Sequence, residues 1–154
     1  LKPLNPPTAL SIYRGNVENY RVAETFLLLM PVRDDVEPYS KPVPARTVEM
    51  GDFFADLGDP PAKGTIVQAL LSCEAEVSAP PGELPHDAVV IWSVEPDRRW
   101  RMMVPFTRTV LGEGEVHEIP RQRVVWGDGT ILVEPPGDNA LASFAAWVEP
   151  SWTR

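Results

Sequence analysis

The chain is 154 residues long, 44% hydrophobic and 23% charged, the balance of a folded domain rather than a disordered one. Its 14 Lys+Arg against 22 Asp+Glu leave a net charge of −8, opposite in sign to that of a domain gripping duplex nucleic acid across a broad face. A single cysteine, Cys73, excludes an internal disulfide and a cysteine-built zinc cluster, and no apolar run reaches the ~18–20 residues of a membrane-spanning helix.

Proline is the outlier, 18 of 154 residues against a usual ~5%. The prolines are spread along the chain, which leaves long helices little room and favours short strands joined by proline-rich loops. The first residue is Leu1 rather than methionine, as expected of a chain trimmed or released from a longer precursor.

Leu1–Leu10, LKPLNPPTAL, lacks periodicity and reads as an extended arm, part of an N-terminal linker over residues 1–19 ahead of a single domain over 20–154. Tyr20–Arg33 reads as the first strand, with Val22, Phe26, Leu28, Met30 and Val32 on one face and Ala23, Thr25, Leu27 and Leu29 on the other. Helix competes for VAETFLLLM because Ala, Glu and Leu favour it; Pro31 and the β neighbourhood favour strand. Asp34–Val48 is a loop with an edge strand near Ala45–Val48. Gly51–Leu57 predicts one short helical turn capped by Asp52, with Phe53, Phe54 and Leu57 as its apolar face.

Thr65–Val77 alternates, with Val67, Ala69, Leu71, Cys73, Ala75 and Val77 on a core face and Gln68, Ser72, Glu74 and Glu76 opposite. Asp87–Val110 is the centre of the pattern. Val89–Trp92 is an unbroken apolar run, Glu95-Pro96-Asp97-Arg98 is a tight turn, and Trp100, Met102, Val104 and Phe106 then share one face, opposite Arg101, Met103, Pro105 and Thr107. Glu115–Ile119 reads as a short strand, Trp126-Gly127-Asp128-Gly129 as a turn, Thr130–Glu134 as a strand, and Leu141–Val148 as the last strand, anchored by Phe144, Trp147 and Val148. The expected fold is all-β: an eight-stranded antiparallel β-sandwich with one short helix.

The order of these elements resembles the single jelly roll of picorna-like icosahedral capsid proteins, and is most similar to the small coat proteins of comoviruses and nepoviruses. The resemblance spans Tyr20–Glu149 and rests on the Phe-rich GDFFADL turn, Gly64-Thr65-Ile66-Val67 opening a long strand, the Trp-x-x-x-Val-Pro-Phe arm, and the closing GTILVEP and ASFAAWVEP. It implies a structural subunit of a non-enveloped positive-strand RNA virus, cut from a polyprotein. Such a subunit assembles in the host cytoplasm into a virion with copies of itself and sister subunits, touches packaged RNA through weak local contacts, and needs no membrane, cofactor or catalysis. A tight hairpin at Asp128-Gly129 would depart from that family. The alternative is a monomeric β-sandwich binding module, suited to carbohydrate if Trp126 and Trp152 are exposed while Trp92, Trp100 and Trp147 fill the core.

Chemistry is sparse. His86 and His117 are the only histidines, and Glu118 beside His117 would point to the opposite strand face, so it could not orient that ring. Ser11, Ser40, Ser72, Ser78 and Ser93 lie outside any Gly-x-Ser-x-Gly elbow. Cys73 reads as a small buried hydrophobe. Asp34-Asp35 and Glu74 with Glu76 are the nearest approach to a hard-cation site, and Arg98, Arg99 and Arg101 form the only dense basic group. Gly112-Glu113-Gly114 and Gly127-Asp128-Gly129 lack the following helix that a phosphate loop needs.

Overall fold

Strand pairing radiates from the central hairpin. The computed structural model describes residues 3–19, 25–43, 57–77, 81, 86–110, 122–135 and 137–152. Helix α1 (Pro6–Asn19) precedes strands β1 (Thr25–Pro31), β2 (Tyr39–Val43), β3 (Ile66–Val77), β4 (His86–Val94), β5 (Arg99–Val110), β6 (Gln122–Trp126) and β7 (Thr130–Val133). Helix α2 (Asn139–Val148) and a single 3-10 turn (Glu149–Ser151) follow. The seven strands among the described residues join one antiparallel sheet in the order β2-β1-β3-β4-β5-β6, with β7 also pairing β5. The hairpin closes where Glu95 N donates to Arg98 O at 2.8 Å, and Ser93 stands opposite Trp100.

The antiparallel β architecture matches expectation; the closed eight-stranded jelly roll does not. A jelly roll divides its strands between two facing sheets. Here β3 pairs β4 from Ala69↔Val94 to Val77↔His86, and β4 pairs β5 from Asp87↔Phe106 to Val94↔Arg99, so the three longest strands form one curled meander, a half-barrel.

Each face of this sheet is covered by a helix that the pattern missed. Leu141–Val148 is helix, not the last strand: Leu141, Phe144, Ala145 and Val148 recur at helical spacing, all buried. Asp138 caps α2, its Oδ1 accepting from Leu141 N at 2.9 Å. The helix lays this stripe on Leu27, Ala69, Leu71 and Val94, with Trp152 closing the cluster.

The expected extended arm is helical as well. Asn5 caps α1, its Oδ1 accepting from Thr8 N at 2.9 Å, and Pro6 and Pro7 occupy the first helical positions, where a missing N–H costs nothing. Ala9, Leu10 and Tyr13 pack against Leu28, Met30, Leu70, Val89, Ile91 and the Trp100, Met102, Val104, Phe106 row. This helix explains why Gln68 and Ser72, expected on a solvated face of β3, are buried. Gln68 clamps the approach to α1: its Oε1 accepts from Leu4 N at 2.7 Å, and its Nε2 donates to Leu4 O at 3.0 Å and Ser93 Oγ at 2.8 Å.

An edge strand lies at Tyr39–Val43 within the expected loop, and the edge strand expected near Ala45–Val48 falls outside the described residues. The expected helical turn at residues 51–56 and the strand at Glu115–Ile119 also fall outside them.

Candidate functional site at the open sheet edge

The groups singled out in the sequence do not converge on a reaction centre. The His86 side chain, His117 and the Glu76 side chain lie outside the described residues. Burial, and then the Glu74 charge, push the Cys73 thiol up to about 11, so it stays protonated at neutral pH. Asp35 is held by Arg33 through two hydrogen bonds of 2.6 and 3.0 Å. Among the described residues no group of three His, Cys, Asp or Glu side chains could hold a metal ion.

The basic cluster is divided: Arg98 and Arg99 are exposed, while Arg101 Nη1 donates to Asp138 Oδ2 at 2.8 Å. The same Asp138 oxygen accepts from Trp92 Nε1 at 3.2 Å, so this carboxylate ties α2 to the sheet. The tryptophan exposures differ from expectation. Trp152 is buried, Trp126 is half-buried beside Phe106 with the Arg14 guanidinium 5.2 Å above its ring, and no tryptophan among the described residues is exposed.

A polar cleft of about 320 Å³ lies at the hairpin turn, lined by Glu95, Arg98, Arg99, Glu134 and Glu149. Burial pushes the Glu95 carboxyl up, against the pull of the Arg98 charge. Within this cleft Glu134 and Arg99 serve the backbone: Glu134 N donates to Arg99 O, and Arg99 N to Glu134 Oε1, both at 2.9 Å. Glu134 takes a φ of +48°, which ends β7 there.

What stands out is the edge beside β5. Strands β6 and β7 are not the two arms of a hairpin, as Gly127-Asp128-Gly129 suggested; they run one after the other along β5. Trp126 pairs with Phe106 and Thr130 with Met103, so three edge residues, 127–129, pass two residues of β5, 104 and 105. That is a one-residue bulge, and Pro105 is its cause. A residue's N–H and C=O point to the same side of a strand, and Pro105 O accepts from Gly127 N at 2.8 Å, so the donor that proline lacks is missing on the edge side. Glycine is required there, because a Cβ on Gly127 would lie 2.9 Å from Pro105 Cγ.

This edge is apolar and open. Val125, Ile131, Leu132 and Val133 are 52%, 43%, 40% and 58% exposed, and the Pro105, Phe106, Thr107, Val125, Trp126 and Gly127 surface forms a shallow groove beside the first of them. Ile131 and Val133 pair with Met102 and Trp100 and share their face; Leu132 pairs with Arg101 and lies on the other. Among the described residues no strand pairs with the outer side of β6 or β7. The opposite edge, β2, also exposes Tyr39, but it carries exposed Lys41 and Pro42, residue types that block further strand pairing. Between Val124 and Val133 the β6–β7 edge has neither, and its one charge, Asp128, sits on the bulge. The absence of charge from TILV was visible in the sequence; that these residues form an edge was not. No protein-family model, curated protein or solved structure matches this chain.

Proposed function

We propose that this is a structural protein that works by association, adding its β6–β7 edge to a strand of a protein partner. The observation that carries the reading is the contrast between the two edges of one sheet: Lys41 and Pro42 guard one, and the other exposes Val125, Ile131, Leu132 and Val133. An exposed apolar edge is a template for strand addition, and natural proteins blunt it unless it is used. The bulge at 127–129 kinks the edge without covering β7.

A viral shell subunit is one form that such assembly takes. Its general part, a structural role through partner subunits in a virion, fits the open edge. The two facing sheets that the resemblance implies are not supplied by the single meander, and of the basic group Arg98, Arg99 and Arg101, the last is committed to Asp138.

The test is the native mass of the chain in the cell that produces it, compared with that of the Val133→Lys variant. The expected result is a complex well above the 17.1 kDa of one chain, collapsing to single-chain mass in the variant. Equal mass for the two proteins would refute the edge as the working surface.

A further inference from the structure

Resting on the reading of β6–β7 as an association edge, we propose that its partner is a second copy of the same edge. The copies would pair antiparallel about a two-fold axis through the bulge. The register follows from which backbone groups point outward. Gly127 N donates to Pro105 O and Glu134 N to Arg99 O, so residues 127 and 134 face β5. By alternation Val124 and Trp126 on β6, and Ile131 and Val133 on β7, turn their N–H and C=O groups away from β5.

A strand pair joins only where outward groups meet outward groups and where paired side chains share a face. Setting Trp126 opposite Ile131 of the second copy meets both conditions, and the one-residue bulge is what lets it do so. On β6, Val124 and Trp126 lie on the face of Phe106; on β7, Ile131 and Val133 lie on the face of Trp100 and Met102, which is the same α1-covered face. Because the bulge inserts one residue between the two strands, odd positions of β7 share the face of even positions of β6.

In this register Trp126 meets Ile131, Val124 meets Val133, and Val125 meets Leu132 on the opposite face. Beyond these pairs, Arg123 on β6 and Glu134 just past the end of β7 bring opposite charges near each other, twice across the two-fold axis. Among the described residues these are the charges that flank the apolar stretch at its two ends. A net charge of −8 on each chain works against self-association, and the two ion pairs act where that repulsion is felt most closely. The two copies of Asp128 approach each other at the axis, an unfavourable feature that sets the expected effect of removing them.

The test uses the purified full chain alone, in sedimentation equilibrium at moderate salt. The wild-type chain is expected to form a species of twice 17.1 kDa. Val133→Lys and Leu132→Lys should each weaken it at least about tenfold, since every pair occurs twice in the symmetric interface. Asp128→Asn should tighten it. Arg123→Glu and Glu134→Arg should each be monomeric where the wild type is dimeric, and their equimolar mixture should dimerise, because both cross-pairs are then attractive.

Unchanged amide protection in β4 and β5 checks that each variant is folded, and the two lysine variants at exposed positions suffice should Glu134→Arg fail to fold. A wild-type chain that stays monomeric up to about 1 mM would overturn the second-copy proposal. So would a dimer indifferent to Val133→Lys, or a charge-swap mixture that remains monomeric. If the purified chain is monomeric yet Val133→Lys still collapses the native complex, the edge reading stands with a different protein as partner. If neither experiment depends on Val133, both readings fail.

Discussion

Replacing Gln68 by leucine would test how α1 is held to the sheet. Leucine is close in volume and apolar, so the substitution leaves little cavity and isolates the hydrogen bonds. Gln68 is fully buried and makes three of them, two with the Leu4 backbone and one with Ser93 Oγ. The Leu4 groups lie at the start of α1 and can recover water if that turn frays, so their loss costs about 0.5–1.5 kcal/mol each. Ser93 is fully buried and keeps its hydroxyl without this partner, at about 1–3 kcal/mol. The sum is roughly 2–4 kcal/mol after allowing for relaxation. Urea unfolding followed by tryptophan fluorescence measures it, and amide exchange at Leu4 reports whether the helix start detaches. The double variant Gln68→Leu, Ser93→Ala should recover about 1 kcal/mol relative to Gln68→Leu alone, because the orphaned hydroxyl is gone. A Gln68→Leu protein within about 0.5 kcal/mol of wild type, with unchanged exchange at Leu4, would refute the clamp.

Four further outcomes are expected. Burial pushes the Tyr13 hydroxyl up to about 12, against a smaller opposing effect of the Ser72 side chain, while in the unfolded chain it ionises near the ordinary tyrosine value of 10.0. The folded state therefore keeps a proton that the unfolded state loses, so stability should fall by about 1.4 kcal/mol per pH unit between those values. Tyr13→Phe should remove that loss while costing little at pH 7, because among the described residues only the Ser72 side chain acts on the Tyr13 hydroxyl, and no well-formed hydrogen bond holds Tyr13 Oη; chemical denaturation at pH 7 and pH 11 checks both points. Asp138→Ala should cost about 2–3 kcal/mol in urea unfolding, through the lost cap and the orphaned Arg101 and Trp92 donors, and Asp138→Asn about half as much. Cys73 should react with a thiol reagent at pH 7 about 100-fold more slowly in the folded chain than in urea, following its raised pKa. Gly127→Ala should cost about 1–2 kcal/mol and raise amide exchange in β6, since the new methyl meets the rigid Pro105 ring; unchanged exchange would place the bulge elsewhere.

The elements that were legible in the sequence are those whose periodicity is long and interrupted only at turns. The β4–β5 hairpin had a proline-bearing turn and a strict alternation of Trp100, Met102, Val104 and Phe106, and all four side chains are buried as expected. Strand β1 was apolar on both faces, and its Leu27 and Leu28 enter opposite cores. The two helices were missed for different physical reasons. In α2, eight apolar residues fit a strand as readily as one helical face; Asp138 three residues before Leu141 was the discriminating signal, a helix cap that an apolar run alone does not reveal. In α1, Pro6-Pro7 was read as extended chain, although after Asn5 the pair suits a helix start.

That second miss propagated. Without α1 there was nothing to cover the face of Gln68 and Ser72, so buried polar residues looked solvated. The candidate edge was hidden more deeply, because Gly127-Asp128-Gly129 has the composition of a hairpin turn and becomes a bulge only through Pro105, more than twenty residues earlier in the chain. No local pattern carries that information.

The meander also dictates an order of events during folding. From β3 to β6 each strand pairs with its neighbour in sequence, so this part of the sheet can zip outward from the β4–β5 hairpin with small loop-closure costs. The two helices cannot join early. Helix α1 docks on a surface shared by β1, β3, β4 and β5, and α2 closes a cluster that reaches back to Leu27. Helix α1 therefore leaves the ribosome before any of the strands on which it docks. Mutations in the hairpin should slow folding, whereas mutations in the Gln68 clamp or the α2 stripe should mainly speed unfolding.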